Sequence, residues 1–231
     1  MQGNKTFLHV FDTHTIKNIV KLSSDGLITN LLGPIGTGKE SYVFYSRDSH
    51  DNEVAVKIHR HSILAFKQIP SYFSLRGTKS GGFLKVIDDW TRYEYSALEK
   101  AERIGISVPK PIAVYRNILI MGFIGRDGEQ AQTAVKDSSF DVEEWYKTII
   151  SFIIKMGKHG LIHGDLSPYN ILNFEGKPYI IDFSQSLKLT SLTKDYLERD
   201  VTNINNWFEK LGKTDPVSYK NILESIENYE K

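Results

Sequence analysis

The sequence contains no cysteine, no uninterrupted apolar run long enough to cross a bilayer, and no recognisable secretion signal. The absence of cysteine excludes disulfide bonds, thiolate metal sites and thiol nucleophiles. The first residues, MQGNKTFLHVFDTH, lack the apolar core of a signal peptide, and the longest apolar stretch, Ile149 to Met156, is interrupted by Ser151 and Lys155. We therefore expect a soluble cytoplasmic protein with no membrane partner.

Acidic residues are missing from one long stretch, between Glu53 and Asp88, although the net charge of the whole chain is only +1. The basic residues of this stretch are Lys57, Arg60, Lys67, Arg76, Lys79 and Lys85. A local excess of positive charge can bind a phosphate backbone even when the whole protein is nearly neutral. The stretch can equally be a solvated loop beside a nucleotide site that needs positive charge, and the sequence leaves both interpretations open.

Two aspartates and an asparagine have the spacing found in kinase-type phosphoryl transfer. Asp165 and Asn170 lie in the segment HGDLSPYN, and Asp182 follows an apolar segment that ends at Ile181. Transfer of a γ-phosphoryl group needs a carboxylate beside the incoming hydroxyl and oxygen ligands for the cations that neutralise the phosphates. The spacing predicts Asp165 as a catalytic residue, Asn170 and Asp182 as metal ligands, and ATP with Mg²⁺ as cofactors, with Mn²⁺ as the alternative cation. His163 is expected to hold this loop by packing and hydrogen bonding.

A glycine-rich turn lies between two apolar segments, at Gly36-Thr37-Gly38-Lys39-Glu40-Ser41. It is similar to a Walker A loop, but Glu40 stands where a serine or threonine should bind magnesium, and the residues that follow, including Val43, alternate like a strand. A strand, loop and strand that cover the phosphates, as in protein kinases, fit this pattern better. We therefore expect residues 36–41 and Val43 to contact the nucleotide.

The next strand carries a lysine on the face that also presents a small residue. In residues 53–58 a period of two places Val54, Val56 and Ile58 on one face, and Ala55 with Lys57 on the other. This arrangement leaves room for a flat base and lets Lys57 reach phosphates, as in the V-A-I-K strand of kinases. Residues 67–85 are rich in glycine, serine and proline and are expected to form a mobile loop.

A helix is predicted over residues 91–104, with Glu94 on its apolar face, one turn before Leu98. Because an inward glutamate is costly unless it is paired, we expect Glu94 to pair with Lys57. A second hairpin, formed by residues 112–115 and 118–123, brings the number of predicted strands to five. The connector that contains Met121, Gly122 and Ile124 is expected to bind adenine through its backbone. Further helices are predicted from a cap at Asp141, over 193–211 and over 217–229.

Taken together, these motifs resemble the RIO family of atypical protein kinases over nearly the whole chain. The segments that carry the resemblance are TGKES (37–41), AVKI (55–58), SILAFK (62–67), VPKP (108–111), HGDLSPYNIL (163–172), IDFSQS (181–186) and RDVTNI (199–204). The patterns DLSxYN and DxSQS are more similar to the first RIO subfamily than to the second. Gly122 departs from the family, which often has glutamate there.

The resemblance implies an α+β, bilobal, protein-kinase-like fold. Its N-lobe has five antiparallel strands and one main helix, and its reduced helical C-lobe lacks the activation segment and peptide-docking helices. The expected regions are an N-terminal helical extension (1–30), an N-lobe (31–124) and a C-lobe (125–231). The resemblance also implies a serine/threonine protein kinase or ATPase that acts in small ribosomal subunit maturation, binding the precursor particle (rRNA and ribosomal proteins) and not DNA. It makes Asp182 the acceptor of a transient phosphoryl group.

Three other interpretations share parts of this pattern. Aminoglycoside and choline kinases also have the HGDLxxxN segment, but they usually carry a longer helical insert before it and an aromatic and acidic pair after the second aspartate. The small ATPase of the tRNA-modification complex has a similar size but lacks the Gly38-Lys39-Glu40 loop. A binding module without enzymatic activity ranks last, because all the acidic residues are present.

Overall fold

The structure is a computed structural model that describes residues 11–62 and 82–228. The chain divides into two compact units: Met1–Ser96 with Lys110–Gln130, and Ala97–Pro109 with Ala131–Lys231. The limits proposed from sequence, 1–30, 31–124 and 125–231, stay predictions. Lys67, Arg76, Lys79, most of the loop expected over 67–85 and the SILAFK motif after Ser62 lie outside the described residues.

The first unit is built on one antiparallel sheet with strand order β1-β2-β3-β5-β4. The strands are β1 (Pro34–Thr37), β2 (Ser41–Arg47), β3 (Glu53–His59), β4 (Pro111–Tyr115) and β5 (Ile118–Gly122). Helix α1 (Thr13–Ser24) precedes the sheet, and helix α2 (Phe83–Arg103) runs from this unit into the second. The expected five-stranded sheet with one main helix is confirmed.

The alternation of β3 produces the core of this unit. Val54, Val56 and Ile58 are almost fully buried in a cluster with Phe44, Ile118 and Ile120 and with Leu22 from α1. Helix α1 begins at an aspartate cap, because the Asp12 carboxylate accepts hydrogen bonds from the N–H groups of His14 and Thr15 at 2.9 and 3.0 Å. The opposite face of β3 is therefore left to hold polar residues against α2.

Helix α2 begins well before the predicted start at residue 91, so the loop expected to extend to Lys85 was wrong at its C-terminal end. Phe83, Val86, Ile87 and Trp90 follow helical spacing, and they pack together as a separate apolar cluster. This burial stabilises two further helical turns. The helical spacing of these four residues was overlooked because serine and glycine residues directly precede them.

The second unit has three helices and short strands. The helices are α3 (Val142–Lys158), α4 (Lys194–Lys210) and α5 (Tyr219–Glu227). The strands β8 (Gln132–Thr133), β10 (Ile171–Phe174) and β11 (Lys177–Ile180) form one sheet, and β9 (Leu161–Ile162) pairs with β12 (Leu187–Lys188). A third pair, β6 (Gly125–Arg126) with β7 (Glu129–Gln130), belongs to the first unit.

Helix α3 begins at the predicted cap and packs closely on α5. The Asp141 carboxylate accepts a hydrogen bond from the N–H of Glu144 at 2.8 Å. A Cβ on Gly157 would lie 2.3 Å from Cδ1 of Ile226, so only glycine permits this approach of the two helices. Across the described ranges 11–62 and 82–228, none of the helices combines the length and the apolar character that a membrane crossing requires.

Candidate active site

Lys57 and Glu94 form a buried ion pair in the first unit. Lys57 Nζ lies 2.6 Å from Glu94 Oε1, and both side chains are 3% exposed. The period of β3 places Lys57 on the face opposite the apolar cluster, and helical spacing places Glu94 on the inward side of α2, as the sequence predicted. A buried charged pair with this geometry fixes the ammonium group in position, because each charge would be costly to bury alone.

The glycine-rich turn joins β1 to β2 and is tightly closed. The N–H of Gly38 donates to the carbonyl of Ser41 at 2.9 Å, and Thr37 at the end of β1 and the turn residues Gly38 and Lys39 are exposed. Gly36 lies against Val43, where an added Cβ would come within 3.5 Å of the Val43 Cβ. Val43 in turn lies opposite Lys57 in the sheet. The turn, Val43 and Lys57 therefore belong to one continuous surface of neighbouring strands.

The connector residues Met121 and Gly122 end strand β5. Met121 lies opposite Ala55 in β3, and the N–H of Gly122 donates to the carbonyl of Lys110 at 2.8 Å. The next N–H, that of Phe123, donates to the carbonyl of Glu53 at 3.3 Å. Both of these donors are used within the unit.

Asp165 and Asn170 are brought together in the second unit. Asn170 Nδ2 donates to the Asp165 carbonyl at 2.8 Å and lies 3.4 Å from Asp165 Oδ2. Between them a short 3-10 turn over Pro168–Asn170 closes the loop, with the N–H of Asn170 bonded to the carbonyl of Ser167 at 2.9 Å. Because its amide nitrogen is engaged, the Asn170 side-chain oxygen is free to act as a ligand atom.

Asp182 follows β11 and has a left-handed backbone, with φ 63° and ψ 75°. Its carboxylate accepts a hydrogen bond from the N–H of Ser184 at 3.2 Å. The residue before it, Ile181, donates its N–H to the carbonyl of Asn170 at 3.0 Å. This bond couples the positions of the two predicted metal ligands, Asn170 and Asp182. A non-glycine residue in this conformation costs energy that the surrounding structure must supply, as is common at functional sites.

The loop that carries Asp165, the predicted catalytic residue, is bonded to Asp200 of helix α4. The two carboxylate oxygens of Asp200 accept from the N–H groups of Gly164 and Leu166, each at 2.8 Å, and Asp200 is 2% exposed. Arg199 donates to the carbonyl of Gly164, and Asn203 donates to that of Leu166 at 3.2 Å. Burial raises the pKa of Asp200, while the nearby His163 and the two N–H donors oppose that shift.

His163 contributes to the same loop as a fully buried side chain. Its Nε2 lies 3.0 Å from the carbonyl of Ile181, and its ring centroid is 4.8 Å from that of Phe183. A carbonyl only accepts hydrogen bonds, so Nε2 carries the proton. The histidine thus joins the loop that carries Asp165 to the segment that carries Asp182, which agrees with the holding role expected from the sequence.

Two residues of the site were not predicted from the sequence. Asp200 could have been found, because it lies among Leu197, Val201 and Ile204 on the apolar face of α4, where a carboxylate needs partners. His59 continues the period of two from Lys57 and is also fully buried. Its Nε2 lies 2.8 Å from Glu94 Oε2. His59 lies in the stretch that lacks acidic residues, but the sequence did not single it out.

Comparison with known proteins agrees with this geometry. Residues 42–222 match the family model described as the RIO domain. The chain is 35% identical over 210 residues to the RIO-type serine/threonine-protein kinase Rio1 of Haloferax volcanii, covering 88% of this chain and 71% of that protein. It is 32% identical over 212 residues to the serine/threonine-protein kinase RIO1 of Homo sapiens, covering 88% of this chain but only 37% of that protein.

Solved structures show the same fold. A crystal structure of the Rio2 kinase from Chaetomium thermophilum aligns with a TM-score of 0.71 and 26% identity, covering 90% of this chain and 66% of that one. A second structure, of the Rio2 kinase-ADP/Mg²⁺-phosphoaspartate complex from the same organism, aligns with a TM-score of 0.70 and 25% identity, covering 90% of this chain and 65% of that one. In both cases the chain spans less than two thirds of the solved protein.

The five-stranded sheet with its Lys57–Glu94 pair, and the helical unit with the Asp165 loop, define a reduced protein-kinase-like α+β fold. Within that class, the family is identified by the match of residues 42–222 to the RIO domain model and by the 35% identity to the Haloferax volcanii protein. The chain belongs to the RIO domain family.

Proposed function

We propose that this chain is an ATP- and Mg²⁺-dependent phosphotransferase of the RIO serine/threonine kinase type, in the first subfamily. The names of its relatives, RIO-type serine/threonine-protein kinases called Rio1 or RIO1, support both the activity and the subfamily. One observation carries the proposal: Asn170 is bonded to Asp165, and the peptide before Asp182 is bonded to Asn170. These bonds connect Asp165, Asn170 and Asp182, the three residues to which we assign the kinase chemistry.

The donor atoms of the proposed metal site fit magnesium. Asn170 and Asp182 offer only oxygen atoms, which Mg²⁺ prefers, and Mn²⁺ accepts the same ligands. In the described ranges, no cluster of three or more histidine, aspartate or glutamate residues could hold a metal ion by itself. That is the pattern expected where substrate phosphates complete the coordination. When bound, the cation would neutralise phosphate charge, while Asn170 and Asp182 would hold it.

Residues of the first unit would bind the nucleotide. Lys57, oriented by Glu94, would contact the phosphates, and the backbone of residues 36–41 would cover them. Met121 and Gly122 would line the adenine, and the Ile124 N–H would donate to it, because the preceding N–H groups are already bonded. The departure at Gly122 leaves this scheme intact, since the recognition uses backbone atoms.

Two acceptors are compatible with the second unit. For a serine or threonine hydroxyl, Asp165 would take the proton as the hydroxyl oxygen bonds to the γ-phosphorus and ADP leaves. For the phosphoaspartate route, an Asp182 oxygen bonds to the γ-phosphorus, ADP leaves, and water then hydrolyses the acyl phosphate to restore the carboxylate. The Rio2 complex with phosphoaspartate supports the second route.

The proposed cellular role is maturation of the small ribosomal subunit in the cytoplasm, with the precursor particle as partner. This part rests on the family resemblance alone. Of the basic residues considered for RNA contact, Lys85 is paired with Asp89 at 2.6 Å and is 60% exposed. An exposed pair of this kind contributes little stability and can be exchanged for a phosphate contact.

The decisive experiment is Mg²⁺-dependent ATP turnover by the purified protein, alone, with immature small ribosomal particles, and with a panel of aminoglycosides and choline. We expect stimulation by particles, abolition of turnover in Asp182→Asn and a phosphorylated aspartate in the wild type. Glu198→Gln, the same carboxyl-to-amide change at an exposed position of α4, serves as the control. Stimulation by a small acceptor alone would replace the ribosomal role, and normal turnover in Asp182→Asn would refute the assignment.

A further inference from the structure

Glu94 is held on both oxygens, and only one of its partners is the expected lysine. Lys57 Nζ contacts Oε1 at 2.6 Å, and His59 Nε2 contacts Oε2 at 2.8 Å. Lys57 and His59 are two residues apart on β3, so both point from the same face of the sheet toward α2. The carboxylate therefore lies between two donors that one strand supplies.

His59 itself is fixed on three sides. Its backbone N–H donates to the carbonyl of Asn117 at 2.9 Å, and its carbonyl accepts from Asn117 Nδ2 at 2.8 Å. Asn117 is fully buried and is tied to helix α1 by a bond to Thr15 Oγ1 at 2.9 Å. The His59 ring packs against Trp90 of α2, with a centroid separation of 4.7 Å. A side chain with so little freedom can transmit its position to Glu94.

The surroundings of the ring determine where its proton lies. Glu94 must be ionised to pair with the Lys57 ammonium, so its oxygens only accept hydrogen bonds and Nε2 must be the donor. His59 Nδ1 is buried and has no hydrogen-bond partner in the part of the chain that the structure describes. An N–H at Nδ1 would be an unsatisfied buried donor, and a charged ring would place two cations on one carboxylate.

We infer that His59 is a positioning residue: a neutral, Nε2-protonated histidine that orients Glu94 and thereby holds Lys57 in place for the nucleotide phosphates. Since Lys57 has that task only if the chain binds ATP, the catalytic part of this inference rests on the proposed function. The structural part, the tautomer and its bond to Glu94, does not. The neutral ring adds a hydrogen bond to Glu94 without adding charge.

The tautomer can be tested without any nucleotide. Long-range ¹H–¹⁵N correlation spectra of the labelled protein near neutral pH distinguish Nε2–H, Nδ1–H and imidazolium rings, and the chain has 7 histidines to resolve. The His59 signal is assigned by its loss in His59→Gln. We expect an Nε2–H ring whose proton resonance shifts in Glu94→Gln. An Nδ1–H ring, a charged ring, or a resonance unaffected by Glu94→Gln would overturn the inference.

The positioning role is tested by ATP turnover of two substitutions. His59→Leu fills similar space but cannot donate, and we expect kcat/KM for ATP to fall about tenfold or more, the factor that loss of a charge-assisted hydrogen bond represents. His59→Gln can present an amide N–H at the same place and should restore most of the turnover. His50→Leu, at an exposed position in the turn between β2 and β3, is the control.

The outcomes separate this inference from the proposed function. If Lys57→Ala is inactive while His59→Leu matches the wild type, His59 has no positioning role. If His59→Leu and His59→Gln lose activity equally with unchanged folding, hydrogen bonding is not the cause, and the inference fails. If Lys57→Ala itself turns over ATP normally, the proposed function fails instead, and the spectra still decide whether His59 holds Glu94. Should His59→Leu not fold, the His59→Gln and Glu94→Gln measurements remain decisive.

Discussion

The Asp200 carboxylate accepts a hydrogen bond from the backbone N–H of Gly164 at 2.8 Å, one residue before the proposed catalytic aspartate. The second oxygen accepts from Leu166, one residue after it, also at 2.8 Å. Asp165 is thus held by bonds on both sides, while its own side chain stays exposed. A carboxylate on helix α4 thus helps to set the geometry of the loop.

We predict that Asp200→Asn destabilises the protein and disables the loop. An amide has only one oxygen, so either the Gly164 N–H or the Leu166 N–H would face an NH₂ group inside the protein. An unsatisfied buried donor costs about 1–3 kcal/mol in the free energy of unfolding. Denaturant unfolding measures this loss, and ATP turnover should fall with it. The exposed Glu198→Gln on the same helix should change neither, and equal effects of the two substitutions would show that Asp200 does not anchor the loop.

Gly164 is required for a second reason, and Gly160 provides a matched comparison. Both have positive φ, 82° and 64°, but a Cβ at Gly164 would lie 2.3 Å from the carbonyl oxygen of Gln185, whereas nothing lies within 4 Å of one at Gly160. Gly160→Ala should therefore cost only backbone strain, about 1–2 kcal/mol. Gly164→Ala adds overpacking and should cost about 2–5 kcal/mol. Urea unfolding of both variants decides this, and similar losses would contradict the predicted collision.

The residues predicted to carry chemistry could be proposed from the sequence because each has a local signal. Lys57 alternates with buried apolar residues, Glu94 lies on the apolar side of a helix, and Asp165 and Asn170 share a short loop. Their pairing partners on other elements were harder to find. Asp200 meets Gly164 across a separation of 36 residues, and His59 meets Glu94 across 35. Such contacts depend on how the elements pack, and the sequence predicts one only where both partners carry a signal of their own, as Lys57 and Glu94 do.

The start of α2 illustrates a different limit. Phe83, Val86, Ile87 and Trp90 have helical spacing, but residues 80–82 are serine and glycine and favour a loop. Burial of the four apolar side chains overrides that local preference. The added turns lengthen the helix on which Glu94 lies.

The Lys57–Glu94 pair should show strong coupling. Lys57→Met leaves the Glu94 carboxylate almost fully buried without its ammonium partner, which costs about 3–5 kcal/mol of unfolding free energy, and Glu94→Gln removes the carboxylate that lies 2.6 Å from the Lys57 ammonium. The double substitution removes both charges, so we expect it to cost less than the sum of the two, with a coupling of about 1–3 kcal/mol. Denaturant unfolding of the four proteins in the cycle measures this. Additive losses would mean that the pair contributes no mutual stabilisation.

His61 should make stability depend on pH. Its side chain is 5% exposed, with Nδ1 3.0 Å from Asp12 Oδ2 and Nε2 3.9 Å from Asp88 Oδ1. Burial lowers the pKa of His61, but the carboxylates of Asp88 and Asp12 outweigh it and raise that pKa above its ordinary value of 6.5. The folded state therefore prefers the protonated ring. The stabilisation is fully present below about pH 6.5 and is lost as pH rises through the raised pKa.

The measurement compares wild type and His61→Gln by chemical unfolding across the neutral range. We expect the difference in unfolding free energy between wild type and His61→Gln to be largest at the acid end, because the charged His61 ring then lies between Asp12 at the cap of α1 and Asp88 in the second turn of α2. This difference should shrink as pH rises. Asp12 stays ionised throughout, because its pKa is lowered despite partial burial, through bonds from Thr15 and the proximity of His61. His50→Gln, in the exposed turn after β2, is the control for losing a histidine. A margin that is constant with pH, or that grows as pH rises, would show that the ring is not charged in the folded protein.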